Sequence, residues 1–212
     1  GVFRATTGLQ EEFGEDRCFD TPLAESGIVG SALGMAVAGL RPVVEIQFSG
    51  FVWTAFNQIV NHVSRIRTRT QGAFTAPLVI RMPYGGGVRA LEHHSESMEA
   101  ILAHVPGIKV VIPSTPHDAK GLLIASIRDP DPVIFMEPKR VYRTPKQEIP
   151  DGDFVVPLGT ARVVLPGEDL TIVSYGAQMK EVMASSRQLR DEVSMEVIDL
   201  RTIYPPDLAS VI

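Results

Sequence analysis

Apolar residues recur along the chain in blocks of two periods, and the blocks alternate. Residues 7–13 carry a short helical pattern stopped at Gly14, and 17–20 a brief extended piece. Small and apolar residues over 24–38 predict a buried helix ended by Gly39, and the run that follows, 42–48, predicts a strand. Val52, Ala55, Phe56, Ile59, Val60, Val63 and Ile66 fall at helical spacing and lead into Arg65, Arg67 and Arg69, cations suited to a helix C-terminus. A strand is expected at 77–82, a helix at 98–105 and a strand at 108–112. Thr115-Pro116-His117-Asp118 supplies an N-cap, a proline at the first helical position and an acid three residues on, opening a helix to about residue 127, before a strand at 131–137. This alternation predicts an α/β fold of three layers, a parallel sheet covered by helices on both faces.

From 138 to 153 the sequence turns polar and proline-rich, which places a domain boundary near residue 150. Strand patterns at 154–164, 169–174 and 194–200, with a helix at 178–192, begin a second α/β unit over 151–212. Some 60 residues are few for such a unit, the chain lacks an initiator Met, and both ends read as interruptions, so the sequence is expected to be a fragment.

Composition narrows the function classes. With 44% hydrophobic and 21% charged residues the chain can bury a core, and a net charge of -5 gives no electrostatic basis for binding nucleic acid or an anionic membrane. The apolar and small-residue run from Ile28 to Leu40 is well short of the ~20 residues of a membrane span. Cys18 is the sole cysteine, which excludes an internal disulfide and a Cys-rich zinc site, and no signal-peptide pattern opens the chain. A cytoplasmic location is expected.

Ligands of open parallel sheets sit beyond the carboxyl ends of the strands, so the loops there are the places to look for chemistry. DTPLAESG, expected after a strand at Arg17, puts Glu25 at the head of an apolar helix. FSGFVW clusters Phe48, Phe51 and Trp53, and MPYGGGVRALEHHSES joins three glycines to the pair His93 and His94. Taken singly, each has an ordinary explanation: a helix-dipole acid, core aromatics, and a flexible turn with surface histidines. The glycine run is neither GxGxxG nor a P-loop. His62, His104 and His117 read as structural or solvent-exposed.

Taken together, DTPLAESGIVGSALGMAVAGLRPVVEIQF, IPSTPHDAKGLLIASIRDPDPVIFMEPKR and VVPLGTARVVLPGEDLTIVSYG resemble the beta subunit of the thiamine-diphosphate-dependent decarboxylating component of 2-oxo acid dehydrogenase complexes, over essentially all 212 residues. The resemblance implies a transketolase-like pyrimidine-binding domain followed by the start of the family's C-terminal domain. It implies that Glu25 hydrogen-bonds a ring nitrogen of the cofactor's aminopyrimidine, favouring the tautomer that takes the proton from the thiazolium carbon. It gives Phe51 the role of stacking on the pyrimidine, with Phe48 and Trp53 as rivals, and His94 that of lining the channel and assisting acyl transfer to the lipoyl group, with His93 as the alternative. Glu96 stands where several relatives carry Gln or Asp.

Some members bind a structural potassium ion at positions matching Leu78, Ser126, Asp129 and Asp131, the last being Asn in many. No GDG followed at a distance by Asn occurs here, so the resemblance assigns Mg2+ and the diphosphate to an alpha subunit in an alpha2-beta2 tetramer docked on a dihydrolipoyl acyltransferase core. EIQFSGF and RALEHHSES favour pyruvate over branched-chain 2-oxo acids such as 3-methyl-2-oxobutanoate. A transketolase or deoxyxylulose-phosphate synthase relative, and a non-catalytic α/β module such as an electron-transfer flavoprotein, are the alternative readings.

Overall fold

A computed structural model describes residues 2–143 and 146–212. Gly1, and Thr144 and Pro145 inside the stretch read as the domain boundary, lie outside the described residues.

The first sheet is built around two strands that bury every residue, β2 (Val79–Tyr84) and β4 (Val133–Pro138). Strands covered on both faces have no polar face to alternate with, which is why VIRMPY and VIFMEP read as nearly unbroken apolar runs. β1 (Val43–Glu45) pairs parallel with β2, and β3 (Lys109–Val111) pairs parallel with β4. The order is β1-β2-β4-β3. Helices α2 (Glu25–Val37) and α3 (Val52–Asn61) pack against each other, and α6 (Pro116–Arg128) makes the crossover from β3 to β4. The expected cap is present: Thr115 Oγ1 accepts from the Asp118 N–H at 3.1 Å.

The structure departs from the sequence-based expectations in five places, the first being that residues 154–161 form no strand and only Arg162–Leu165 of that expected element does. No strand forms at 17–20: a turn closed by Cys18 N donating to the Gly14 carbonyl runs into irregular chain at Phe19 and Asp20. The helix expected to be buried is only half so: Val29, Ala32 and Ala36 face inward, whereas Ser31, Gly34 and Val37 are exposed on the far face. The helix predicted from Val52 to Ile66 breaks at His62. There Ser64 Oγ donates back to the Val60 carbonyl at 2.8 Å, and Gly107 presses so close that a Cβ would sit 2.0 Å from the Ser64 carbonyl oxygen. Finally, the sheet is not wholly parallel.

That last difference comes from the second unit. β5 (Arg162–Leu165), β6 (Leu170–Ser174) and β7 (Met195–Asp199) form a mixed sheet in the order β5-β7-β6, flanked by α7 (Gln178–Gln188). The chain then turns at Arg201, whose φ of 56° is left-handed, and β8 (Thr202–Tyr204) adds antiparallel to β3. The two units therefore share the first sheet. Arg201, almost fully buried, clamps the junction by donating to the carbonyls of Thr160 and Ala161 and to Asp118 Oδ1 at 3.4 Å. Gly121 admits the second unit at close range, since a Cβ there would meet Val156 at 2.6 Å and Phe154 at 2.8 Å.

Buried charge within the first sheet is matched. Arg81 of β2 donates from Nε to Glu137 Oε1 at 2.6 Å and lies 3.4 Å from Glu45 Oε2, while the Tyr142 hydroxyl donates to the other oxygen of Glu137. Arg81→Met leaves Glu137 without its counter-charge and is expected to destabilise the full-length protein by about 3–5 kcal/mol, read from urea unfolding.

Asp199, fully buried at the junction, behaves in the opposite sense. Burial pushes its carboxyl up to about 6 from 3.8; the Ser114 hydroxyl and the Arg201 N–H oppose the rise and Asp118 adds to it. The folded state thus holds a proton that the unfolded chain releases between pH 3.8 and about 6, and stability from this group falls as pH climbs through that window. Asp199→Asn removes the slope. Its stability gain over the parent is expected to grow between about pH 4 and about pH 7 by on the order of 2 kcal/mol, in paired denaturant titrations.

Candidate active site

Because β1, β2 and β4 are neighbours, the segments leaving their carboxyl ends converge. Phe48 follows β1, the loop 85–97 follows β2, and Lys139 follows β4 directly. The loop is stapled at its base: the Glu96 carbonyl accepts from Gly85 N at 2.9 Å and from Ser49 Oγ at 2.8 Å, and Ser95 Oγ donates to the Ala90 carbonyl at 2.6 Å. Glu92 and His93 are both left-handed, with φ of 42° and 49°, an uncommon pair of conformations that turns His94 inward.

His94 sits in a corner of two aromatic rings. Its ring centroid is 4.5 Å from that of Phe48 and 5.5 Å from that of Phe51. Nδ1 lies 3.0 Å from the Glu92 carbonyl, which can only accept, so Nδ1 carries a proton and, in the neutral ring, Nε2 holds the lone pair. Behind it, the buried Lys139 donates from Nζ to the His94 carbonyl and lies 5.2 Å from the centre of the Phe48 ring. Burial holds the Lys139 ammonium below the usual lysine range. His93 is the more exposed of the pair; it stacks on Phe51 at 5.7 Å and faces Glu96 Oε1 at 3.6 Å.

The acid arrives from a different direction. Glu25 is the first residue of α2 and follows a turn rather than a strand. Its Oε2 accepts from Thr54 Oγ1, in the first turn of α3, at 2.9 Å, and the same hydroxyl lies 3.0 Å from the Phe51 carbonyl. Thr54 thereby joins Glu25 to the aromatic cluster. The three aromatics separate by position: Phe48 is buried behind His94, Trp53 points out and donates to Glu96 Oε2 at 3.3 Å, and half-buried Phe51 lies between Thr54 and the histidines. An acid and a partly exposed aromatic ring on one surface fit a flat heteroaromatic base with a ring nitrogen.

The four positions matched to potassium lie at another corner, by the end of α6. Lys109 Nζ contacts both oxygens of Asp129 at 2.6 Å, and Arg67 Nε contacts Asp131 Oδ1 at 2.7 Å. Arg41 donates to the carbonyls of Ile127 and Asp129 at 2.8 and 3.0 Å. The Leu78 carbonyl accepts from Val133 N at 3.0 Å and the Ser126 carbonyl from Asp129 N at 3.3 Å. With its two acids answered by Lys109 and Arg67, and two of its carbonyls by Arg41, this arrangement does not fit a further cation. Among the described residues, no cluster of His, Cys, Asp and Glu could hold a metal ion. A cavity of about 350 Å³ between α6 and the ends of β3 and β4 includes Arg81, Lys120 and Glu137 in its lining, but none of Glu25, Phe51 or His94.

The family model "Transketolase, pyrimidine binding domain" matches residues 1–145. The chain belongs to this family. "Transketolase, C-terminal domain" matches residues 159–212. The pyruvate dehydrogenase E1 component subunit beta of Acholeplasma laidlawii is 55% identical over 208 residues, covering 98% of this chain and 64% of that protein. The subunit of the same name from Bacillus subtilis (strain 168) is 53% identical over 213 residues, covering 100% of this chain and 66% of that protein. The chain thus spans a little under two thirds of the length of these relatives. A solved structure described as "Split gene transketolase, inactive beta4 tetramer" shares the fold with a TM-score of 0.80 at 20% identity, over 98% of this chain and 65% of that one.

Within this pyrimidine-binding domain, reasoning from sequence passed over two members of the site, Thr54 and Lys139. Thr54 lies three residues after Phe51 on a helix, a spacing that puts it next to that residue's carbonyl, but its meeting with Glu25 depends on how α2 crosses α3. Lys139 is the first residue after a buried strand, a position that on its own marks a ligand-facing loop.

Gly50 controls the approach of the loop, since a Cβ there would lie 2.3 Å from the His93 carbonyl oxygen and 2.4 Å from its Cα. Gly50→Ala is expected to push His93 and His94 outward, moving the His94 ring protons out of the ring-current field of Phe48 and Phe51. The check is histidine NMR shifts, with far-ultraviolet circular dichroism unchanged.

Proposed function

We propose that the chain is the pyrimidine-holding part of the beta subunit of a thiamine-diphosphate-dependent 2-oxo acid dehydrogenase, acting in the oxidative decarboxylation of pyruvate with acyl transfer to lipoyl groups. The observation that carries this reading is the junction at Thr54, where an acid from the head of α2 meets the aromatic and histidine cluster beyond β1 and β2. The named relatives, identical at more than half of the aligned positions, support pyruvate as the substrate.

When bound, thiamine diphosphate supplies the nucleophilic carbon and the electron sink for loss of CO2. Glu25 holds a proton against a ring nitrogen of the pyrimidine, at the oxygen that Thr54 leaves free. Phe51 offers its ring to the pyrimidine face. His94 uses Nε2 to accept or return a proton during acyl transfer, its Nδ1–H anchored on Glu92 so that the ring cannot turn away. Lys139 fixes the backbone of that histidine.

In keeping with relatives named as beta subunits, an alpha subunit holds Mg2+ and the diphosphate in an alpha2-beta2 assembly, which docks on a dihydrolipoyl acyltransferase core in the cytoplasm. The exposed apolar side chains at the two ends of α2, Leu23 before it, Val37 in its last turn and Leu40 after it, suit burial against such a subunit. Among the described residues no helix is long and apolar enough to cross a membrane. Potassium plays no part in this proposal.

The test is Glu25→Gln in the full-length subunit assembled with its native partner, assayed with an artificial electron acceptor on pyruvate and on 3-methyl-2-oxobutanoate. Thiamine-diphosphate-dependent turnover is expected to favour pyruvate and to fall by about 10² or more in the variant. Undiminished turnover in Glu25→Gln would sink the reading, and a preference for the branched acid would change the substrate.

A further inference from the structure

We infer that Thr54 is a positioning residue that sets which oxygen of Glu25 faces the ligand, an inference resting on the proposed role of Glu25. One hydroxyl proton is offered two acceptors, Glu25 Oε2 at 2.9 Å and the Phe51 carbonyl at 3.0 Å. It can satisfy only one fully at a time. The carbonyl contact is the local back-bond that any helical threonine can make to residue i−3. The carboxylate contact is charge-assisted and therefore the stronger while Glu25 is ionised.

Donation to Oε2 ties that oxygen to α3 and leaves Oε1 as the free lone-pair site. When a proton resides on Oε1 for a ring nitrogen to share, Oε2 is a carbonyl-type oxygen and still accepts from Thr54. When the proton sits on Oε2, it points at the threonine oxygen, and the threonine proton swings to Phe51. The hydroxyl thus follows the proton of Glu25 from one oxygen to the other with no side-chain rotation elsewhere.

The branched Cβ of threonine leaves two χ1 rotamers in a helix, and the one adopted is held by contacts to both Glu25 Oε2 and the Phe51 carbonyl. Glu25 has no other hydrogen-bond partner recorded among the described residues, and the Ala24 N-cap contributes no side-chain bond to the start of α2. Orientation of the acid therefore depends on this one contact. The contact also couples α2 to α3 at the residue that carries the aromatic ring, so the acid and the ring are set as one unit.

The experiment is a double-mutant cycle on the full-length assembled enzyme, pairing Thr54→Val with Glu25→Gln and adding Thr54→Ser as the rescue. Valine keeps the branched shape and loses the hydroxyl; serine keeps the hydroxyl. Thr54→Val is expected to lower kcat about tenfold and to weaken the calorimetric Kd for thiamine diphosphate about threefold, with the KM for pyruvate and the melting temperature unchanged. Thr54→Ser is expected to recover most of both losses, and Thr54→Val to add nothing in the Glu25→Gln background.

If Glu25→Gln is itself silent, the catalytic reading of Glu25 fails. If Glu25→Gln is severe while Thr54→Val is silent, only the role of Thr54 fails. A serine variant as impaired as the valine one, or fully additive losses in the double variant, overturns the inference as well, because the effect would then belong to packing.

Discussion

The register of β2 on β4 is the constraint on which the rest depends. Six consecutive pairs, from Val79 opposite Val133 to Tyr84 opposite Pro138, lie in parallel between two covered faces. A slip of one residue would invert every side chain of a strand with no solvent-facing side to receive them. Since the pairing ends level, the loop after Tyr84 and the residue after Pro138 leave the sheet side by side. Lys139 can then reach the His94 carbonyl, and the loop can fold back over the aromatics that follow β1. The candidate site is placed by strand ends rather than by contacts designed within the loop.

Charge is handled differently in the core and at the site. In the sheet, Arg81 lies between Glu45 and Glu137, and by the end of α6 Asp129 and Asp131 have Lys109 and Arg67. These groups are neutralised in pairs and are fixed in place. Glu25 has a hydroxyl and no cation recorded against it, on a helix whose outer face is uncovered. The acid at the candidate site is thus held by a neutral donor, where those of the core are held by charge.

Much of this was legible in the sequence, for physical reasons that differ from element to element. β2 and β4 announced themselves as apolar runs because both faces are buried, and α6 by its Thr115 cap, which is purely local chemistry. The clustering of Phe51, His93 and His94 followed from the rule that chemistry gathers beyond strand ends. β8 gave no signal, because three residues set no period and its partner lies about ninety residues earlier. The stretch at 17–20 imitated a strand, and the exposure of α2 could not be read from residues as small as Gly30 and Gly34, which suit a buried or a docked helix equally. Thr54 was hidden because its importance comes from a helix crossing, which no local pattern encodes.

β8 also changes what kind of object the first sheet is. By occupying the outer side of β3 it satisfies hydrogen-bonding groups that would otherwise invite another chain, while β1, three residues long, has a sheet partner on one side alone. The sheet is thus a strip whose two borders are both strands of three residues, β1 at one end and β8 at the other. The border formed by β1 belongs wholly to the first unit, whereas the border formed by β8 is supplied by the chain as it leaves the second, so the two edges of one layer come from different units.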